Sequence, residues 1–394
     1  MSPSRTILAL VLLSFPVCAR AQAPSASDSA AVAAPLPVTP VSGTPADFPR
    51  GRISGLAFGD VFYDVAGDPR HLYNAAGADQ GQANIDGKKV IGKGLNGVQF
   101  RRIYFQLDND LTPRIATRFR LEVDGRELTS GGKLAPFLKN AYAQAKSVVP
   151  RGDFFFGELS TPVYEVPETF WGYRSVEKMI ADFWGLRPSS DLGIELKGYA
   201  DPSHRFGYSA LVSDGNGQKP ETDRFKTFAL ALPVKLGDLR VEPYADYQPV
   251  RVNPNATAVS DTAANNDQAL YRLFAGYEFR RWALGGEAFA RLKHGGAKAN
   301  TEARGVSVFA RGSMSPTLAA FARFDEFRPD TRTANRVDVQ LWIGGVDWQP
   351  IKDFHVMPNV EATQYVRRGN AVVPPHHDLQ ARVTFYYLFS RPQS

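Results

Sequence analysis

The chain is poor in cysteine, in long apolar runs and in net charge. Its single cysteine, Cys18, excludes a disulfide framework and any multi-cysteine metal centre. The six histidines fit no His-x-x-x-His ligand spacing, so no metal is expected. The longest apolar run, Ile7 to Ala19, is shorter than the roughly 20 residues a spanning helix needs, which excludes a helical membrane bundle. The formal net charge is only +6, too little to argue for a nucleic-acid partner. What the chain does have is aromatic side chains: 26 Phe, 15 Tyr and 5 Trp among 394 residues. They occur at a mean hydropathy of −0.27. That pairing excludes low-complexity disorder for most of the chain and spreads apolar surface thinly over many short segments.

The N-terminus accounts for the cysteine. Arg5 precedes the apolar stretch Ile7–Val17, and Ala19-Arg20-Ala21 or Ala21-Gln22-Ala23 offers a small-residue cleavage site. Residues 1–23 therefore read as a secretory signal peptide that carries Cys18 away. Phe15-Pro16-Val17 lacks the small residues of a lipoprotein processing site. The signal takes two arginines and no acid with it, so the exported chain is only mildly basic. Residues 24–50, rich in Ala, Pro, Ser, Thr and Val, cannot bury enough apolar area to offset their ordering entropy and read as a flexible periplasmic lead-in. Residues 51–394 form the folded unit.

In that unit the apolar period is two. Ile115, Thr117, Phe119, Leu121 and Val123 share one face, and Arg114, Arg118, Arg120, Glu122 and Asp124 share the other. Leu192, Ile194 and Leu196 oppose Asp191, Glu195 and Lys197 in the same way, and Val337, Val339, Leu341 and Ile343 oppose Arg336, Asp338 and Gln340. Sixteen candidate strands follow: 52–65, 97–110, 114–125, 136–148, 152–160, 190–200, 205–214, 223–235, 238–248, 269–280, 281–292, 302–315, 317–327, 336–350, 353–366 and 376–389. The fourth and fifth alternate too weakly to fix their faces. After the first strand the connections alternate long and short. Long ones such as 66–96, 161–189 and 249–268 contrast with Leu111-Thr112-Pro113, Leu236-Gly237 and Arg280-Arg281. Sorting by parity is what an up-and-down transmembrane barrel requires, with short periplasmic turns and long extracellular loops. In hydrocarbon every backbone polar group must be satisfied within the protein, so a spanning sheet closes on itself. The expected fold is an all-β, 16-stranded antiparallel transmembrane β-barrel. Ala381, Val383, Phe385, Tyr387 and Phe389 give it the aromatic-rich last strand of an outer-membrane protein, although Ser390 to Ser394 run on past the phenylalanine.

Several short motifs, in order, resemble the phosphate-selective porin O and P family over roughly 52–389. Phe100-Arg101-Arg102 is similar to that family's Arg-rich second strand, and Asn140-Ala141-Tyr142 to its Asp/Asn-Ala-Tyr strand. Gly157-Glu158-Leu159-Ser160-Thr161-Pro162 with Glu165 resembles its Gly-x-x-x-x-Pro-x-x-Glu stretch, the most specific piece. Glu177-Lys178 stands where the family has Glu-Arg. Asp191-Leu192-Gly193 and Asp214-Gly215-Asn216-Gly217 look like two further elements. The resemblance implies a sixteen-stranded barrel, a homotrimer, and a third long loop folded into the lumen as a constriction. Segment 161–189 is the third long loop by parity. It offers Tyr164, Phe170, Trp171, Phe183 and Trp184 as wall anchors, a short helical turn within 175–184, and Arg174, Glu177 and Lys178 as constriction charges.

A sixteen-stranded barrel holds a water-filled channel whose selectivity follows its charge rings. Inward arginines and acids nearly balance over the whole wall, so placement decides. Arg102, Arg114, Arg118 and Arg120 fall together on strands two and three. They form either an anion track, since guanidinium keeps its charge and forks onto oxyanions, or ion pairs that stiffen the wall. Phosphate-selective members of the family depend on loop lysines, and segment 249–268 has Arg251, Asp261 and Asp267 but no lysine. The expectation is an outer-membrane porin passing small hydrophilic solutes with weak anion preference. Its surroundings would be the lipid bilayer and lipopolysaccharide of a Gram-negative cell. Gly-x-Ser-x-Gly, His-Glu-x-x-His and phosphate-loop motifs are absent, and His355 reads as a solvated wall residue, so neither enzymatic activity nor a cofactor is expected. Two other classes stand beside this one. One is a non-conducting barrel acting as an enzyme or structural anchor, and the other a secreted β-sheet binding protein.

Overall fold

The computed structural model describes residues 48–69, 84–85, 88–89, 92–129, 132–251, 265–295, 299–371 and 376–392. The signal peptide and nearly all of the lead-in lie outside the described residues. The barrel strands are β1 (Arg50–Ala66), β2 (Asn96–Asp110), β3 (Ile115–Leu128), β4 (Leu134–Val149), β5 (Gly152–Ser160), β6 (Ser190–Tyr199) and β7 (Gly207–Ser213). Next come β8 (Thr227–Ala231 continued by Val234–Leu236), β9 (Leu239–Gln248), β10 (Gln268–Phe279), β11 (Trp282–Lys293) and β12 (Thr301–Ser315). The last four are β13 (Leu318–Arg328), β14 (Arg336–Ile351), β15 (Phe354–Arg368) and β16 (Asp378–Pro392). The two pieces of β8 pair with the same neighbour, β9, on either side of Leu232-Pro233, so they count as one strand of sixteen.

Each strand pairs antiparallel with the next, and β1 pairs with both β2 and β16, which closes the sheet. The chain beyond Phe389 stays in the ladder: Ser390 sits opposite Ser54 and Pro392 opposite Arg52. The first strand begins at Arg50, inside the stretch read from sequence as lead-in.

Polarity is inverted relative to a soluble protein. Val98, Phe156, Leu273, Val308 and Trp342 are exposed on the outer face, whereas Arg102, Glu122, Arg272, Glu287, Arg323 and Arg382 are buried on the inner one. Burying charge while exposing apolar side chains is costly in water. It is the stable arrangement where the outer face meets hydrocarbon and the inner face polar partners. No helix among the described residues is long and apolar enough to cross a membrane.

Two bulges explain where strict alternation fails. Phe58 pairs with Arg102 and Gly59 with Phe100, leaving Arg101 as the extra residue of β2. Arg120 pairs with Asn140 and Leu121 with Leu138, leaving Lys139 as the extra residue of β4. A bulge sets two consecutive side chains toward one face. Lys139 and Asn140 are accordingly both buried, between exposed Leu138 and partly exposed Ala141. The fourth strand's weak sequence pattern has this cause.

Candidate functional site

The basic wall is built by β2 and β3. Alternation turns Ile115 and Phe119 outward and Arg118, Arg120, Glu122 and Asp124 inward. Arg102 Nη1 lies 2.6 Å from Glu122 Oε1 and donates to the Tyr104 hydroxyl at 2.8 Å. Arg118 Nε lies 2.6 Å from Asp108 Oδ1. Arg120 Nε donates to the neutral Gln106 side chain at 2.6 Å, and its guanidinium lies over the Tyr104 ring. For Arg102 and Arg118, ion pairing is therefore what the structure shows. Arg114 does not join them. It is exposed in the turn before β3, where Leu111 N–H already bonds the carbonyl of Ile115, so the strand starts one residue after it.

Sequence reasoning missed Arg101 and Lys139, which the bulges add to this wall. Arg101 Nη2 is 2.7 Å from Glu177 Oε2, and its Nε is 3.6 Å from Asp60. Lys139 Nζ is 3.5 Å from Glu122 and donates to Ser189 Oγ at 2.5 Å. A signal was present: adjacent bases, Arg101-Arg102, in a strand where neighbours should face opposite ways.

The third long loop lies against the inner wall. Its helix α1 (Pro162–Trp171) starts with Pro162, whose fixed φ suits the first helical turn, and ends at Gly172, φ 74°, whose N–H bonds the carbonyl of Glu168. No helix is expected over 162–171 from the sequence; Pro167 lies inside this one, where proline removes a helical N–H. The second helix, α2 (Ile180–Phe183), falls within the stretch expected to turn. Trp171 is fully buried, edge-on to Phe309 at 5.0 Å and near Phe321. Phe170 packs on Phe274 and over Gly276, where a Cβ would stand 2.6 Å from its ring. Trp184 stacks on Phe327 at 4.1 Å.

Polar ties reach from the loop to opposite walls. Glu177 takes Arg101 and lies 3.9 Å from Arg382 of β16. On the far side Arg187 Nε bonds Asp246 of β9 at 3.0 Å, and Arg311 of β12 donates to the carbonyl of Phe170 at 2.9 Å. Arg174 and Lys178, read from sequence as constriction charges, both go to Asp182, at 3.1 and 2.9 Å, and Arg174 also pairs with Glu168. Burial on the loop disfavours both carboxylates. Lys178 and Arg174 nevertheless hold Asp182 well below the usual carboxylate range, whereas Glu168 is pushed up.

Toward the short turns the loop leaves a vestibule of about 790 Å³, lined by Arg118, Asp108, Lys146, Lys197, Glu165 and Tyr142. His355 Nδ1 hydrogen-bonds Asp347 at 2.8 Å, and no serine hydroxyl is among its described partners.

A closed sixteen-stranded antiparallel barrel has counterparts among solved structures. Its fold is that of the outer-membrane porins. An anion-selective porin from Comamonas acidovorans superimposes with a TM-score of 0.59 at 12% identity, covering 87% of this chain and 100% of that one. The outer-membrane channel DcaP of Acinetobacter baumannii gives 0.60 at 11%, covering 86% and 97%. OmpT, an outer-membrane protein of Vibrio cholerae, gives 0.58 at 11%, covering 89% and 100%. No family model and no curated relative matches the sequence, so the likeness to porins rests on three-dimensional shape.

Proposed function

We propose that the protein is a passive diffusion channel of a Gram-negative outer membrane, exported by its signal peptide, with short turns in the periplasm and long loops outside. The observation that carries this reading is the inverted polarity of a closed barrel whose charged lumen is narrowed by the third loop. Small hydrophilic solutes fit a lumen where Arg101, Arg102, Arg118, Arg120 and Lys139 face Asp60, Asp108 and Glu122. A wall this nearly neutralised supports only a weak anion preference, and the anion-selective Comamonas porin of like fold supports its sign. In-vitro folded OmpT of Vibrio cholerae, TM-score 0.54, is described in trimer form, which supports a homotrimer here.

Reversal potential across a planar bilayer under a KCl gradient tests the assignment. Wild type is expected to be mildly anion-selective, and replacing Arg102, Arg118 and Arg120 by Gln should move it toward cation selectivity. Cation selectivity in the wild type removes the anion reading, and unchanged selectivity in the variant removes this wall. A second reading has its own observation. Apolar side chains of the loop and the wall, among them Trp171, Met179, Phe274 and Leu341, pack together within the lumen. A protein giving no conductance steps would be a closed barrel serving as an anchor.

A further inference from the structure

The vestibule under the third loop is unevenly charged. Pro162, Glu165 and Val166 stand at i, i+3 and i+4 on α1, so one face of the helix borders the cavity. Its volume of about 790 Å³ falls within the roughly 300–1,000 Å³ of small-molecule pockets. On β1 to β4, Arg50, Arg52, Arg118 and Lys146 line it against two carboxylates, Asp108 and Asp110. Asp108 is shared: Arg118 Nε lies 2.6 Å from one oxygen and Arg52 Nη2 3.3 Å from the other. Lys146 takes Asp110. This wall keeps an excess of positive charge, and the Arg52 side chain is 36% exposed.

The lining from β5 to β9 and α1 has the opposite balance. Asp153, Glu165 and Glu242 stand there against Lys197. Lys197 Nζ donates to both Glu165 oxygens, at 2.6 and 2.5 Å. Glu242 is matched by Arg272, outside the lining. Asp153 has no cation among its described partners; it accepts from Gln144 Nε2 at 2.7 Å and from the Ser147 N–H at 2.8 Å, both neutral. This wall keeps an excess of negative charge centred on Asp153. Arg151, in the turn between β4 and β5, lies where the two walls meet and donates to the carbonyl of Ala200. Apolar side chains complete the lining, among them Val166 and Phe155, which is edge-on to Tyr142 at 5.7 Å.

We infer that the vestibule is a saturable binding site for a zwitterion with an apolar body, of the size of a dipeptide. The carboxylate goes to Arg52 and Lys146, the ammonium to Asp153 and Glu165, and the apolar side chain to Phe155 and Val166. A simple anion meets like charge on one wall and a simple cation on the other. A molecule carrying both charges complements the two walls at once. The apolar lining lowers the local dielectric and strengthens both contacts. The inference deepens the channel reading and rests on it, since the site is a stop on the solute's path, on the short-turn side of the third loop.

The test titrates full-length protein in detergent calorimetrically with three ligands. They are the dipeptide Ala-Phe, its N-acetylated form, which is only an anion, and its C-terminal amide, which is only a cation. Wild type should bind Ala-Phe about tenfold more tightly than either, the effect of one charged contact. Asp153→Asn keeps an acceptor for Gln144 and Ser147. It should lose the preference over the acetylated form and keep the preference over the amide. Arg52→Gln should do the reverse. A merely structural role would lower all three affinities together. Val166→Trp fills the apolar part, keeps every charge and should weaken Ala-Phe as well. Equal affinity of wild type for the three ligands overturns the site and needs no variant, and so does a zwitterion preference untouched in both charge variants. Conductance in KCl separates this from the channel reading. A wild type that conducts without preferring the zwitterion keeps the channel and loses the site. One that prefers it without conducting keeps the site and loses the channel.

Discussion

Replacing Glu177 by Gln should loosen the third loop. Its carboxylate takes Arg101 at 2.7 Å with side chains only 20% and 7% exposed, so solvent screens the pair little. A hydrogen bond to a charged group contributes about 1.5–3 kcal/mol. The loss is held toward the lower part of that range because Arg101 keeps Asp60 at 3.6 Å and Arg382 keeps Glu361 at 2.5 Å. A cost of about 2 kcal/mol corresponds to about a 30-fold shift in the equilibrium for loop release. Single-channel recording should show the variant in a wider, noisier conductance state about 30 times more often. Limited proteolysis within 172–179 should accelerate to a similar degree, because cleavage tracks the open population when closing is fast. Arg101→Gln should reproduce the effect, and the double variant should be less than additive, since both substitutions remove one interaction. Identical conductance noise and proteolysis in E177Q and wild type would refute the claim that this pair holds the loop.

Other perturbations follow from the same geometry. Trp171→Ala removes a fully buried side chain, at a cost of about 3–5 kcal/mol, and should enlarge the conductance step more than E177Q does; an unchanged step counts against the aromatic anchor. In Gly276→Val the new side chain begins where the Phe170 ring now sits, 2.6 Å from it. The loop should lift in single-channel records, and adding Phe170→Ala should restore the wild-type step. Val308 is exposed at the middle of β12, so Val308→Arg should destabilise the barrel in lipid vesicles by about 2–4 kcal/mol. Urea titration of vesicle-refolded protein measures it, and an unshifted midpoint would place that face away from hydrocarbon.

The depth of loop packing also bears on how selectivity arises. Arg102 and Arg118 are committed to Glu122 and Asp108, so they contribute less field than a count of arginines suggests. In the proposed channel, geometry rather than net charge would then dominate what passes. The Glu122 carboxylate, which takes both Arg102 and Lys139, is the hinge of that balance.

The sequence by itself determined the strands, their order and, for most positions, which residues face outward. Period-two alternation is a local property of the extended chain, and loop length sorted by parity needs no knowledge of contacts. Ile115, Phe119, Arg118 and Arg120 took the faces that their spacing assigns. What only the tertiary structure decided depends on relations between strands. A bulge is a mismatch of register with a neighbour, so Arg101 and Lys139 entered the lumen against the local pattern. The hydrogen bonds of a turn fixed Arg114 outside it. Helix α1 holds Pro167 in its interior, and the lumen wall offers Phe274, Phe309 and Phe321 to bury its aromatic residues. Whether an inward arginine is a free cation or half of an ion pair rests on what stands across from it, and one strand's spacing does not contain that.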